Sequence, residues 1–205
     1  MKGSIVFYWT IGIVIAGIAV AAAFYFDPAV AEFMSSHQTP GIRNFMLWVS
    51  RCGDWPGIVL VGLAVIAIAQ WRGNKKWTRI MLAAIIALSI AGLTGRVLKI
   101  STGRARPSVQ SEHMWNGPRV SGSKYHSFPS GHVDASVGFF GVLLLARRRV
   151  GLACLPIPIL IGLSRLYLGA HWLSDVVCGA VLGIVAAVVV WHFIRPRAED
   201  VGDPR

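Results

Sequence analysis

The sequence predicts an all-α, polytopic membrane helix bundle of about six transmembrane helices plus a short interfacial helix. Two observations carry this. The 205 residues are 55% hydrophobic and only 14% charged, which is too apolar for an ordinary soluble domain. The apolar residues also fall into six runs, Ile5–Phe26, Pro56–Trp71, Ile80–Leu98, Val133–Ala146, Val150–Leu168 and Val176–Ile194, separated by short polar segments. Residues 1–195 read as a single membrane-embedded domain, and 196–205 ("PRAEDVGDPR") as a polar cytoplasmic tail.

A bilayer core takes about 20 helical residues, and the first, third, fifth and sixth runs are that long. The first holds 22 residues after Lys2. With "AVA" at Ala29–Ala31, it also admits a cleaved signal peptide. The second run reaches span length with Trp55 and Trp71, which suit the interfacial belt. The fourth is short and spans only if its helix starts near Ser130 and is sheltered by protein. Pro156 and Pro158 should kink the fifth. Between the first two spans, "TPGIRNFMLWV" reads as a helix with Thr39 as N-cap and Pro40 at N1. Its Ile42, Phe45, Met46 and Val49 share one face, as in an interfacial helix or one packed on the bundle.

The net charge of +11 could suggest nucleic acid. The cations, however, sit in short clusters between apolar runs rather than along one solvated face, which argues against it. Six spans put Lys2, the Arg72–Arg79 loop, Arg147, Arg148, Arg149, Arg195 and the tail's Arg197 and Arg205 on one side, eleven cations in all, and nine on the other. The nine lie beside motifs that need cations for chemistry, so the eleven mark the cytoplasmic side. Cys52, Cys154 and Cys178 form neither a disulfide framework nor a zinc pattern.

Topology brings three clusters to the outer face. The first, "KISTGRARP", carries Lys99, Arg104 and Arg106. In the second, "SFPSGH", Ser130 and Gly131 offer backbone N–H groups at a positive helix end and His132 points from the same turn. Asp134 reads as an ordinary first-turn acid. In the third, "SRLYLGAHWLSD", Arg165 ends one span, His171 and Asp175 are four apart, and Ser174 is a candidate N-cap.

Together these groups fit phosphoryl transfer. Lys99, Arg106 and Arg165 can neutralise a phosphate and the charge that builds on it. One histidine can attack phosphorus while the other protonates the leaving oxygen. Asp175 can fix the tautomer of His171. His126 can line the entrance, and Arg104, Arg119 and Lys124 can meet a charged head group. Met114 and Trp115, in the 21-residue loop 108–128, can dip into the interface.

The set Lys99…Arg106-Pro107, Pro129-Ser130-Gly131-His132 and Ser164-Arg165…His171…Asp175 resembles the type 2 phosphatidic acid phosphatase family, whose three motifs it matches without a gap. The resemblance implies a membrane phosphatase with His171 as nucleophile through a phosphohistidine, His132 as general acid and Asp175 orienting His171. It assigns Lys99, Arg106, Ser130, Gly131, His132 and Arg165 to phosphate binding, with no metal and no cofactor. The implied substrate is a lipid phosphate or diphosphate met in the bilayer. Undecaprenyl diphosphate, phosphatidylglycerol phosphate, phosphatidic acid and lipid A 1-phosphate are the family's examples. The expected setting is a bacterial inner membrane, with the site on its periplasmic face. A lipid phosphotransferase using the same intermediate, and a non-catalytic phospholipid-binding or transport protein, are the competing readings.

Overall fold

Alanine recurs along one face of the third apolar run, and that face is where the bundle closes. A computed structural model of the chain describes residues 2–109, 111–118 and 121–195. The tail 196–205 and Arg119 lie outside the described residues. The helices are α1 (Lys2–Ser36), α2 (Pro40–Cys52), α3 (Trp55–Trp71), α4 (Lys75–Thr102), α5 (Gly131–Ala146), α6 (Arg148–Cys154), α7 (Pro156–Tyr167) and α8 (Leu173–Ile194), with one 3-10 turn at Ser123–Tyr125.

At the centre, Ala83, Ala84 and Ala87 of α4 cluster with Ala135, Phe139 and Val142 of α5 and Ala187 of α8, all buried. Lipid is as apolar as these side chains, so association rests on close packing rather than on hydrophobic transfer. The α5–α8 contact shows how close: a methyl on Gly183 would lie 2.7 Å from the Asp134 carbonyl oxygen, and one on Gly179 would lie 2.8 Å from that of Ser130.

Among the described residues, four helical stretches are long and apolar enough to cross a bilayer: Trp9–Ser36, Lys75–Thr102, Arg148–Tyr167 and Leu173–Ile194. The pair α2 and α3, bent by 53°, makes a fifth if counted as one span. The remaining expected span, α5, has only 16 residues. It packs against α4, α7 and α8, so its polar first turn meets protein rather than lipid. The fifth run is broken between α6 and α7 at Leu155, where Pro156 starts a new helix.

Thr39 caps α2 as expected, its side chain accepting from the Ile42 N–H at 3.4 Å. The helix combines both expected placements. Val49 and Ser50 are buried on the side that packs against α7, whereas Ile42, Phe45 and Trp48 remain exposed. Helix α1 runs unbroken through Ala29–Ala31 to Ser36. Its exposed Ile11, Val14, Ile15 and Ile18 suit a lipid-facing surface.

Candidate active site

The C-terminal end of α4, the start of α5 and the α7–α8 turn converge at one end of the bundle. Helix α4 stops at Gly103, whose φ of +56° is open to glycine and strained for other residues. The chain then doubles back: the Ala105 N–H donates to the Met114 carbonyl at 2.8 Å and the Asn116 N–H to that of Gly103 at 3.1 Å. This fold-back sends Arg104 inward and Arg106 toward the cavity.

That cavity, about 560 Å³, is lined by Lys99, Arg106, Gly131, His132, His171 and His126. Its flank is closed by Asp54 and Trp55 and opens onto an apolar stretch of α4 at Leu88, Gly92 and Leu93. Lys99 donates from Nζ to the Pro129 carbonyl, which holds the ammonium over the start of α5. Arg165 is half-buried, is not among the residues lining this cavity, and donates from Nη1 to the Ser50 hydroxyl of α2. Several buried polar atoms here have no hydrogen-bond partner within the protein: Nε of Arg106, Nε of Arg165 and the Ser130 hydroxyl. Buried donors of this kind suit an anion.

Ser130 differs from expectation in one respect. Its N–H donates to the Asp175 carbonyl at 3.0 Å, tying α5 to α8, so it is not aimed at an anion. Its hydroxyl is buried without a hydrogen-bond partner.

His171 Nδ1 lies 3.4 Å from Asp175 Oδ2, close enough for ion pairing but just beyond a made hydrogen bond. Burial, above all, pushes the His171 imidazole from 6.5 down to about 3, with Asp175 pulling the other way. The ring is therefore neutral at pH 7 and carries a nitrogen lone pair. His132 Nε2 lies 3.6 Å from Asp54 Oδ1, so each histidine has its own carboxylate.

Asp175 is held by three donors. It accepts from Arg104 Nη1 at 2.5 Å, from the Ser127 hydroxyl at 2.5 Å and from the Trp172 N–H at 2.9 Å. Arg104 does not face a head group, as its neighbours in the motif suggest it could; it is fully buried. Its other arm pairs with Asp27 of α1 at 2.7 Å, and its guanidinium carbon lies 4.7 Å from the Trp115 ring centroid and 5.2 Å from that of Phe24. Trp115 and Met114 thus cover Arg104, Met114 through its sulfur at 3.6 Å. Ser174 is not the N-cap of α8; Trp172 is. The Ser174 hydroxyl donates to Asp27 at 2.6 Å and accepts from Arg104 at 2.7 Å.

Asp27, Asp54, Ser50 and Ser127 join the site from outside the three motifs. Asp27 had a signal: an acid in a helix otherwise apolar enough to span is costly without a partner. Asp134 is also more than an ordinary helix-end acid. It is fully buried with both carboxylate oxygens unpartnered, pressed against Gly95 of α4.

The fold and site define an integral membrane protein with a buried histidine–carboxylate pair facing a cationic cavity. The chain belongs to the PAP2 superfamily, whose family model matches residues 77–199. It is 32% identical over 152 residues to a decaprenylphosphoryl-5-phosphoribose phosphatase of Mycobacterium tuberculosis, covering 72% of this chain and 76% of that one. A lipid A 1-phosphatase of Rhizobium johnstonii is 37% identical over 95 residues, 45% of this chain. The match spans only 39% of that relative's length. The fold also matches the crystal structure of a transmembrane PAP2-type phosphatidylglycerolphosphate phosphatase from Bacillus subtilis, with a TM-score of 0.64 at 23% identity over 88% of this chain and 92% of that one.

Proposed function

We propose that the chain is a membrane phosphatase that hydrolyses a lipid phosphate or diphosphate through a phosphohistidine. The observation that carries this is the neutral, carboxylate-backed His171 facing the same cavity as His132, Lys99 and Arg106. The relatives' names, all of phosphatases in the cases above, support the substrate class.

In the first step His171 Nε2 attacks phosphorus and the bond from phosphorus to the lipid oxygen breaks. His132 gives that oxygen its proton, and Asp175 and Arg104 fix the imidazole as it becomes positive. Lys99, Arg106 and Arg165, with the Ser130 hydroxyl and Gly131, hold the phosphoryl oxygens while charge builds on them. In the second step His132 takes a proton from water, the water oxygen bonds to phosphorus, and the N–P bond breaks. Inorganic phosphate leaves and His171 is restored.

We also place the site on the extracytoplasmic face of a bacterial inner membrane. The cationic turns at Arg72–Arg79 and Arg147–Arg149 lie at the opposite helix ends from the site, as the positive-inside rule asks.

The test is inorganic phosphate release by detergent-purified protein, with EDTA, from four lipids: undecaprenyl diphosphate, phosphatidylglycerol phosphate, phosphatidic acid and lipid A 1-phosphate. His171→Ala runs beside the wild type. Release that the variant loses supports the proposal; release that persists in it sinks the assignment of the nucleophile.

A further inference from the structure

One cation of the cavity is absent from the mechanism above. Arg96 lies in α4, three residues before Lys99, and lines the same cavity. Ser89, Gly92, Leu93, Arg96 and Lys99 all line it and follow one another at the spacing of a single helix face. Arg96 is exposed, and among the described residues no hydrogen bond or ion pair engages it. It sits within the third apolar run, where an arginine is costly unless it snorkels or meets an anion.

Its position relative to Lys99 gives it direction. Three residues of helix are about 4.5 Å along the axis. Arg96 is displaced by that amount from the phosphate site toward the bilayer, and Leu93 and Leu88 continue the same face inward. A lipid whose terminal phosphoryl group sits at His171 and whose tail leaves along this face must carry its next polar group past Arg96. A rise of this size is on the scale of one phosphate to the next.

We propose that Arg96 is a binding site for the second phosphate of a lipid diphosphate, selecting diphosphates over monophosphates. The inference rests on the phosphatase reading above. Hydrolysis is unchanged in kind: the terminal phosphoryl group moves to His171, and the inner phosphate, with its tail, is the leaving group that receives the His132 proton. Arg96 offers that inner phosphate a charge-assisted pair, which is worth about tenfold or more in affinity.

The experiment compares farnesyl diphosphate with farnesyl monophosphate, which share a tail and differ by one phosphate. Initial phosphate release is measured for the wild type, Arg96→Gln and His171→Ala. The wild type should favour the diphosphate in kcat/KM by at least tenfold. Arg96→Gln should cut that preference about tenfold, mainly through KM. Because the preference is a ratio within one preparation, a partly misfolded variant does not obscure it. An unchanged ratio in Arg96→Gln, or a wild type that favours the monophosphate, would overturn the role of Arg96 while leaving the phosphatase reading intact. Wild-type protein that releases phosphate from neither compound would overturn the phosphatase reading, and this inference with it.

Discussion

Arg104 donates from Nη1 to Oδ1 of Asp175 at 2.5 Å, and neither side chain is exposed to solvent. The carboxylate that backs His171 is thus held by an arginine whose second arm is fixed on Asp27. Asp175 has little freedom to rotate away from the imidazole. Two carboxylates share one guanidinium here, with the Ser174 hydroxyl and N–H taking up more of the Asp27 oxygens' capacity.

Removing Arg104 would leave two buried acids facing each other without their cation. Breaking a buried pair from one side costs about 3–5 kcal/mol. Arg104→Ala should therefore lower the unfolding midpoint in detergent by many degrees and abolish phosphate release. Arg104→Lys keeps the charge but loses the fork that serves both acids. It should recover part of the stability and little of the rate. A melting curve and a turnover assay on the same preparations check both.

Asp175→Asn should leave KM nearly unchanged, since the residue does not line the cavity. The rate constant kcat should fall on the order of a thousandfold or more, the scale seen when a triad aspartate is neutralised. Loss of binding rather than of rate would place Asp175 in the phosphate pocket instead of behind His171.

The pH dependence follows from the burial of His171. Its folded-state value is pushed from 6.5 down to about 3. Below pH 6.5 the unfolded chain takes up a proton that the folded imidazole refuses, so the unfolded state is favoured. The stability tied to this group is therefore fully present above pH 6.5 and is lost as pH falls toward 3. The protein should melt lower at pH 4.5 than at pH 7.5, and His171→Gln should flatten that difference. His171 also stays unprotonated between pH 5 and 8, so its protonation should cause no acid-side loss of rate in that window.

Asp54 stands 3.6 Å from His132, while Lys99, Arg106 and Arg165 face the same ring with positive charge. Asp54→Asn leaves His132 among cations alone, which should impair the proton donation proposed for it. An alkyl phosphate needs that proton on its leaving oxygen; p-nitrophenyl phosphate does not. The substitution should slow the first substrate at least tenfold more than the second, a typical scale for lost acid catalysis. Equal slowing of both would assign Asp54 only to capping α3, where it accepts from the Trp55 N–H at 2.9 Å.

Gly95 faces Asp134 so closely that an added methyl would lie 2.0 Å from Oδ2. Gly95→Ala must move a buried carboxylate or part α4 from α5. Overpacking of this kind costs about 1–3 kcal/mol, read as a lower melting point than wild type.

The helices were legible because hydropathy reports length and composition directly. The motif residues were legible because chemistry needs particular side chains at fixed spacing, and Lys99, Arg106, Gly131, His132 and His171 do meet in one cavity. What stayed hidden depends on pairing across the bundle. Asp27 is 77 residues from Arg104, and nothing local to either marks the other. Arg104 reads as one more cation in a basic cluster until the fold-back at Gly103 turns it inward. Ser174 has the chemistry of an N-cap, but Trp172 took that place, with its N–H on Asp175. The 53° bend that brings Ser50 and Asp54 to the site depends on where α2 docks on α7, which periodicity does not encode.

The clasp between Asp27 and Ser174 joins residues 147 positions apart, one near the end of the first helix and one at the start of the last. During synthesis the opening helix leaves the ribosome long before its partner exists. Until then its acid must wait in the bilayer, either neutral or in the company of other groups. The framework behind His171 closes only when the final helix arrives. A nascent chain stalled before His171 holds most of the site's cations and two of the cavity's three histidines, yet lacks both His171 and its brace. Lipid hydrolysis would then begin only with the completed molecule.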